Sequence, residues 1–270
     1  MSSIENTQLH ITNKVQVSIK SVAMPAEHGG WGFLFEPILL GILVAPSLAG
    51  VAIGLAAVGL FLLHQPLKIV IKDRKRGRVF QRTRLAQRFA IGYSAAAVGF
   101  GILAFLLSDG TFWLPPLLTA PLIAAQFYFE ARNEGRSLWS EIFAAAALAS
   151  IAPAIILAGG QAATTAAIAG LLMLLRLPSI EYVRTRIKWM HNKPASRAPT
   201  LITHIAAVAI TAVLWAANLI GVAALIGTAM LLARAIYGLF AQREKNAKVI
   251  GIQEVFLGLA YAVLGAIGLG

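Results

Sequence analysis

The residues of this chain with chemical potential are polar side chains set beside long apolar runs. The stretch Pro25-Ala26-Glu27-His28-Gly29-Gly30-Trp31-Gly32 puts a carboxylate, an imidazole and a glycine pair just before such a run. Two readings stand. Glu27 and His28 are candidate acid–base groups of a ligand site, with Trp31 among its binding residues. Alternatively, Trp31 anchors the chain at a membrane interface and Glu27 caps a helix start. Glu36 follows, one or two turns further in and directly before Pro37. A carboxylate at that depth is protonated, paired or turned toward a wet cavity.

His64, Lys68 and Lys72 are spaced i, i+4, i+8, which puts three cationic or potentially cationic groups on one helix face. That face suits a phosphate. The competing reading has both lysines reaching toward lipid head groups. Gln126, Glu130 and Glu134 share another face, with Arg132 between them and Glu141 soon after. Glu130 is a third acid–base candidate and Arg132 a binding candidate. Glu181, Arg184 and Lys188 share a face if the helix continues past Pro178, and Tyr182 and Arg186 share a different one. His204, Asn218, Arg234 and Tyr237 complete the polar inventory of the apolar runs. His204 and Asn218 are more ordinary as hydrogen-bonding groups between helices than as ligands. With no cysteine there is no thiolate nucleophile and no disulfide. Phosphate-cradling glycine loops and serine-hydrolase elbows are absent from the sequence. Asp73 and Glu181 are single acids among cations, so the motifs do not support a Mg²⁺ site, and no metal ligands are assigned.

The elements that must position these groups are transmembrane helices. The chain has 270 residues, of which 58% are hydrophobic and only 13% charged. Its mean hydropathy is +0.76. A soluble domain averages about 25% charged residues, so lipid is the expected solvent here. Residues 1–24 read as a polar tail and residues 25–270 as a single membrane domain. Apolar runs lie near 31–49, 51–71, 89–107, 112–129, 138–158, 162–177, 201–219, 222–240 and 249–269, which predicts an all-α bundle of about nine spans. The polar loops fall near 72–88, 130–138, 179–200 and 241–248. Eight basic residues lie in 72–88 and six in 176–197. The turns near Gly50, Asp109, Gly159 and Gly221 have none. This alternation predicts a cytoplasmic N-terminus and an outward C-terminus. The net charge of +12 is thereby a topology and lipid-surface signal, and no motif for reading nucleic acid accompanies it.

Two resemblances follow. Pro25 to Gly32, with an apolar span containing Pro37 behind it, resembles the opening of the bacterial YwiC-like membrane proteins. Ser179 to Arg184, with Tyr182-Val183-Arg184, is similar to the same family. This likeness implies a multi-pass protein of the bacterial cytoplasmic membrane. The predicted architecture also resembles the UbiA-superfamily intramembrane prenyltransferases, whose two polar loops after spans two and six bind Mg²⁺ and an isoprenoid diphosphate through Asp-rich motifs. Here those places hold His64 to Arg74 and Leu177 to Lys188, without paired aspartates. The resemblance therefore implies a UbiA-like bundle that binds, and as an enzyme would transform, an isoprenoid or other lipid with a phosphate head group. Lys68, Lys72, His64, Arg184 and Lys188 would replace the metal. A transporter and a non-catalytic lipid-binding or partner protein are the alternative readings. The topology is directly testable: alkaline phosphatase fused after Gly270 is expected to be active on cells, and the same enzyme fused at Gly77 inactive.

Overall fold

A computed structural model describes residues 18–25, 28–77, 79–108, 110–241 and 246–270. Among these residues the chain forms twelve helices and no strand. They are α1 (Ile19–Ala23), α2 (His28–Val44), α3 (Leu48–Lys75), α4 (Gln81–Leu107), α5 (Leu114–Ala131), α6 (Leu138–Ala149), α7 (Ile151–Ala158), α8 (Ala163–Leu174), α9 (Pro178–Met190), α10 (Ala198–Ala216), α11 (Val222–Phe240) and α12 (Ala247–Leu269).

Among the described residues, seven helical stretches are long and apolar enough to cross a membrane: α3, α4, α6 with α7, α8 with α9, α10, α11 and α12. The two other expected runs are helical as well. The apolar part of α2 is the shorter Gly29–Val44. In α5, prolines and the polar residues Gln126 and Glu130 interrupt the apolar sequence. Pro178 divides α8 from α9, because it has no N–H to continue the helical ladder, and residues 175–177 tighten into a turn. Three helices stop at an asparagine in the left-handed region: Asn133 after α5, Asn192 after α9 and Asn218 after α10. In each case the following N–H returns to a carbonyl five residues back, which satisfies the frayed helix end.

The described residues fall into two compact units. The first joins α1 to the end of α3 and the start of α4. Val22, Val70 and Ala86 form its small core, flanked by Ile69, Leu85 and Phe89. Its α3–α4 turn is locked by Asp73, which is fully buried. Both Asp73 oxygens accept from Arg82, at 2.7 and 3.1 Å, and one also accepts from Thr83.

The remaining described residues make the second unit, in which α12 packs extensively against α2 and α11. Leu40, Ile156, Met173, Leu231 and Tyr261 form its main apolar cluster. Large apolar side chains such as Leu48, Leu106, Leu118 and Phe256 face outward. Small residues at the contacts let the helices approach closely, as expected where packing rather than hydrophobic expulsion holds helices together. A Cβ on Gly41 would stand 2.8 Å from the Ile155 side chain and 3.2 Å from the Ala152 carbonyl. Around Gly99 there is open space. Gly41→Val is therefore expected to destabilise the detergent-solubilised protein by about 1–3 kcal/mol. Gly99→Ala should leave the melting temperature unchanged or raise it slightly.

Candidate functional site

The second unit contains a continuous chain of buried charges, built from four helices and one turn. Arg176 stands in the turn before α9, and its side chain is 2% exposed. Glu36 of α2 lies on one side, with its Oε2 3.1 Å from Arg176 Nε. That pair is close without the alignment of a hydrogen bond, so distance and charge define it. Arg176 Nη2 donates to Glu36 Oε1 at 3.4 Å and to the backbone carbonyl of Glu254 at 3.0 Å. It also donates to Glu254 Oε2 at 3.3 Å. The same Glu254 oxygen lies 3.2 Å from Nη2 of Arg234 on α11. Arg234 also donates to Ser179 Oγ at 2.8 Å and lies 4.0 Å over the Tyr182 ring. Arg186 Nη1 donates to the Tyr182 hydroxyl at 3.0 Å and to the Gly238 carbonyl at 2.8 Å.

Glycines make room for the Glu36 carboxylate and for the Tyr182–Arg186 pair. Gly258 stands four residues after Glu254 on α12, and a Cβ there would overlap the Glu36 carboxylate. Gly238 stands four after Arg234 on α11, where a Cβ would overlap the Tyr182 hydroxyl. Gly32 stands four before Glu36, and a Cβ there would come within 3.0 Å of Glu36 Oε1. The i, i+4 spacing keeps each pair on one helix face.

The charges do not balance. Arg176 and Arg234 face Glu36 and Glu254. Arg186 is 2% exposed, and among the described residues no carboxylate pairs with it. Several buried guanidinium atoms meet no acceptor among the described residues: Arg176 Nη1, Arg186 Nη2, and Arg234 Nε and Nη1. The space beside Glu36, lined by Phe33, Pro37, Ala145, Ala149 and Met173, amounts to about 10 Å³. That is room for a single water, so a larger group enters only by displacing side chains. Among the described residues, no three His, Asp or Glu side chains come together as metal ligands would.

The residues singled out by sequence are distributed differently. Glu27 lies outside the described residues; His28 opens α2. Trp31 stacks on Phe35 at 5.8 Å and lines an apolar groove of about 380 Å³ with Ile252, Val255 and Phe256 of α12. His64, Lys68 and Lys72 belong to the first unit, where His64 is half-buried and both lysines are exposed. The other site residues belong to the second. Glu130 is half-buried beside Gly135, and Arg132 lies over Tyr128. Arg184 pairs with Glu141 at 2.9 Å and donates to the Arg136 carbonyl. Glu181 is half-buried and Lys188 exposed. The α9 face that enters the charge chain is thus that of Tyr182 and Arg186, not that of Glu181, Arg184 and Lys188. Sequence reasoning noted Glu36, Tyr182, Arg186 and Arg234 without joining them, counted Arg176 as a loop cation and passed over Glu254. The available signal was a charge and a glycine four apart in otherwise apolar helices.

Residues 24–156 match the family model described as YwiC-like protein. The motif around His28 and Glu36 falls inside that stretch, and Arg176, Arg186, Arg234 and Glu254 lie beyond it. No curated protein and no solved structure matches the chain, so the UbiA likeness rests on predicted span number and loop placement alone. Removing one member of a buried ion pair strands its partner and costs about 3–5 kcal/mol. Glu254→Gln is expected to lose that much in detergent unfolding. Glu36→Gln should lose less, because Glu254 serves two arginines and Glu36 one.

Proposed function

We propose that this chain, YwiC-like over residues 24–156, is a multi-pass protein of the bacterial cytoplasmic membrane that binds the phosphate-bearing head group of a lipid at Arg176, Arg186 and Arg234. The single observation behind this reading is the uncompensated positive charge of the buried cluster: three arginines against two glutamates, with guanidinium N–H groups left over. In a low-dielectric surrounding an unmatched cation is costly and an anion that matches it is bound strongly. Guanidinium forks suit phosphate oxygens better than ammonium groups do. A helical bundle with an apolar exterior meets such anions chiefly as lipid head groups.

The orientation assigned from the basic loops puts the lysines of α3, Lys68 and Lys72, near the cytoplasmic leaflet, where they would raise the local concentration of anionic lipid. Isoprenoid phosphates belong to the same ligand class. Transfer chemistry on the bound lipid, with Glu27, His28 or Glu130 as acid–base groups, is a further step that head-group binding does not require. A second reading is passage of the anion through the bundle. It is favoured by Arg176 sharing its charge between Glu36 and Glu254, since a shared cation can exchange partners as helices move.

Dioleoyl phosphatidic acid is expected to raise the apparent stability of the purified protein, while dioleoyl phosphatidylcholine is not. A ligand at a hundred times its Kd adds about 2.7 kcal/mol. Arg186→Gln should abolish the effect, and Lys68→Ala with Lys72→Ala should preserve it. An undiminished shift in Arg186→Gln would overturn the assignment. Counterflow of phosphate or a phosphate ester in proteoliposomes would favour the second reading.

A further inference from the structure

We infer that His204 makes the site selective for a phosphate that still carries a proton, a monoester in preference to a diester. The inference rests on the head-group reading above.

His204 lies on α10 and is buried, at 2% exposure. Its Nδ1 stands 2.7 Å from the backbone carbonyl of Thr200, one turn back. A carbonyl only accepts, so Nδ1 carries the hydrogen. In the neutral ring Nε2 is then a bare lone pair. Nε2 is buried and meets no donor among the described residues. Its helix packs against α9 and α11, the helices of Arg186 and Arg234, and Thr200, one turn back, lies 3.4 Å from Thr185, the neighbour of Arg186.

The unpartnered atoms of the cluster therefore differ in kind. Arg176 Nη1, Arg186 Nη2 and the Nε and Nη1 of Arg234 offer hydrogens. Glu36 Oε2, an acceptor, is already held against Arg176. His204 Nε2 is left as an acceptor with no ion partner. A group that answers this set must present several anionic oxygens and one O–H. A monoester near pH 6 does so, since its second proton leaves with a pKa of about 6. A diester carries the charge without the hydrogen and leaves Nε2 as it is in the free protein, so the bond that a monoester alone can give Nε2 is the difference between the two.

Dioleoyl phosphatidic acid and dioleoyl phosphatidylmethanol isolate this difference. At pH 5.5 both are largely monoanions with the same chains, and they differ by O–H against O–CH₃. Titration of the full-length protein in detergent, read by native mass spectrometry, should show tighter binding of phosphatidic acid by about tenfold. His204→Phe, which keeps a buried ring and removes the acceptor, should bring the two affinities together. Equal affinities in the wild-type protein would overturn the inference while leaving the head-group site standing. A preference that survives in His204→Phe, or in His204→Leu should the first variant fail to fold, would also overturn it. If neither lipid binds the wild-type protein, the head-group reading falls as well.

Discussion

Arg176 is held between two carboxylates inside a bundle whose outer surface is apolar, and much of the second unit is arranged around that constraint. A guanidinium cannot be left unpaired at membrane depth. Glu36 arrives from α2 and Glu254 from α12, the two helices that pack most extensively on each other. The turn at residues 175–177 frees Arg176 from the regular helical path, and Pro178 is the reason the turn exists. Gly258 and Gly32 clear the volume the Glu36 carboxylate occupies. Charge and packing are therefore one problem here: the helices approach closely because the polar groups between them need contact with each other.

The same chain of contacts runs toward α9 through Arg234, Tyr182 and Arg186, and there it stops matching cation with anion. The Tyr182 ring lies between two arginines, with its face toward Arg234 and its hydroxyl accepting from Arg186. A phenol neutralises neither charge. Buried ion pairs are not a general source of stability, because desolvation offsets most of their attraction. A network that is both buried and unbalanced is hard to explain as a clamp alone, and it is the feature on which the proposed anion site rests. The volume beside Glu36 is that of a single water, so the proposed ligand would enter only with movement of neighbouring side chains.

Much of the fold was legible because lipid is an undiscriminating solvent. Every long apolar run had to become a helix, since an unpaired backbone has no partner in hydrocarbon. The expected spans accordingly reappear as helices, and the stops at Gly159–Gly160 and Asn218 fall where backbone chemistry places them. The polar residues were legible as types: Glu36, Arg234 and His204 stood out in apolar surroundings. Which of them met was a different matter. A helix with a nearly uniform apolar surface gives no periodic signal of which side faces its neighbours. The expectation for α9 accordingly favoured Glu181, Arg184 and Lys188, whereas packing turned Tyr182 and Arg186 inward.

Composition and charge placement by themselves determined the membrane class, the helical nature of the spans and the sign asymmetry of the loops, because each follows from transfer of single residues between water and lipid. The pairing of Glu36 with Arg176, and of Glu254 with both arginines, was decided only by tertiary structure. Those contacts join residues up to 140 positions apart. They depend on helix rotation and on the room that Gly258 and Gly32 leave for the Glu36 carboxylate, and neither is a property of any one segment read alone.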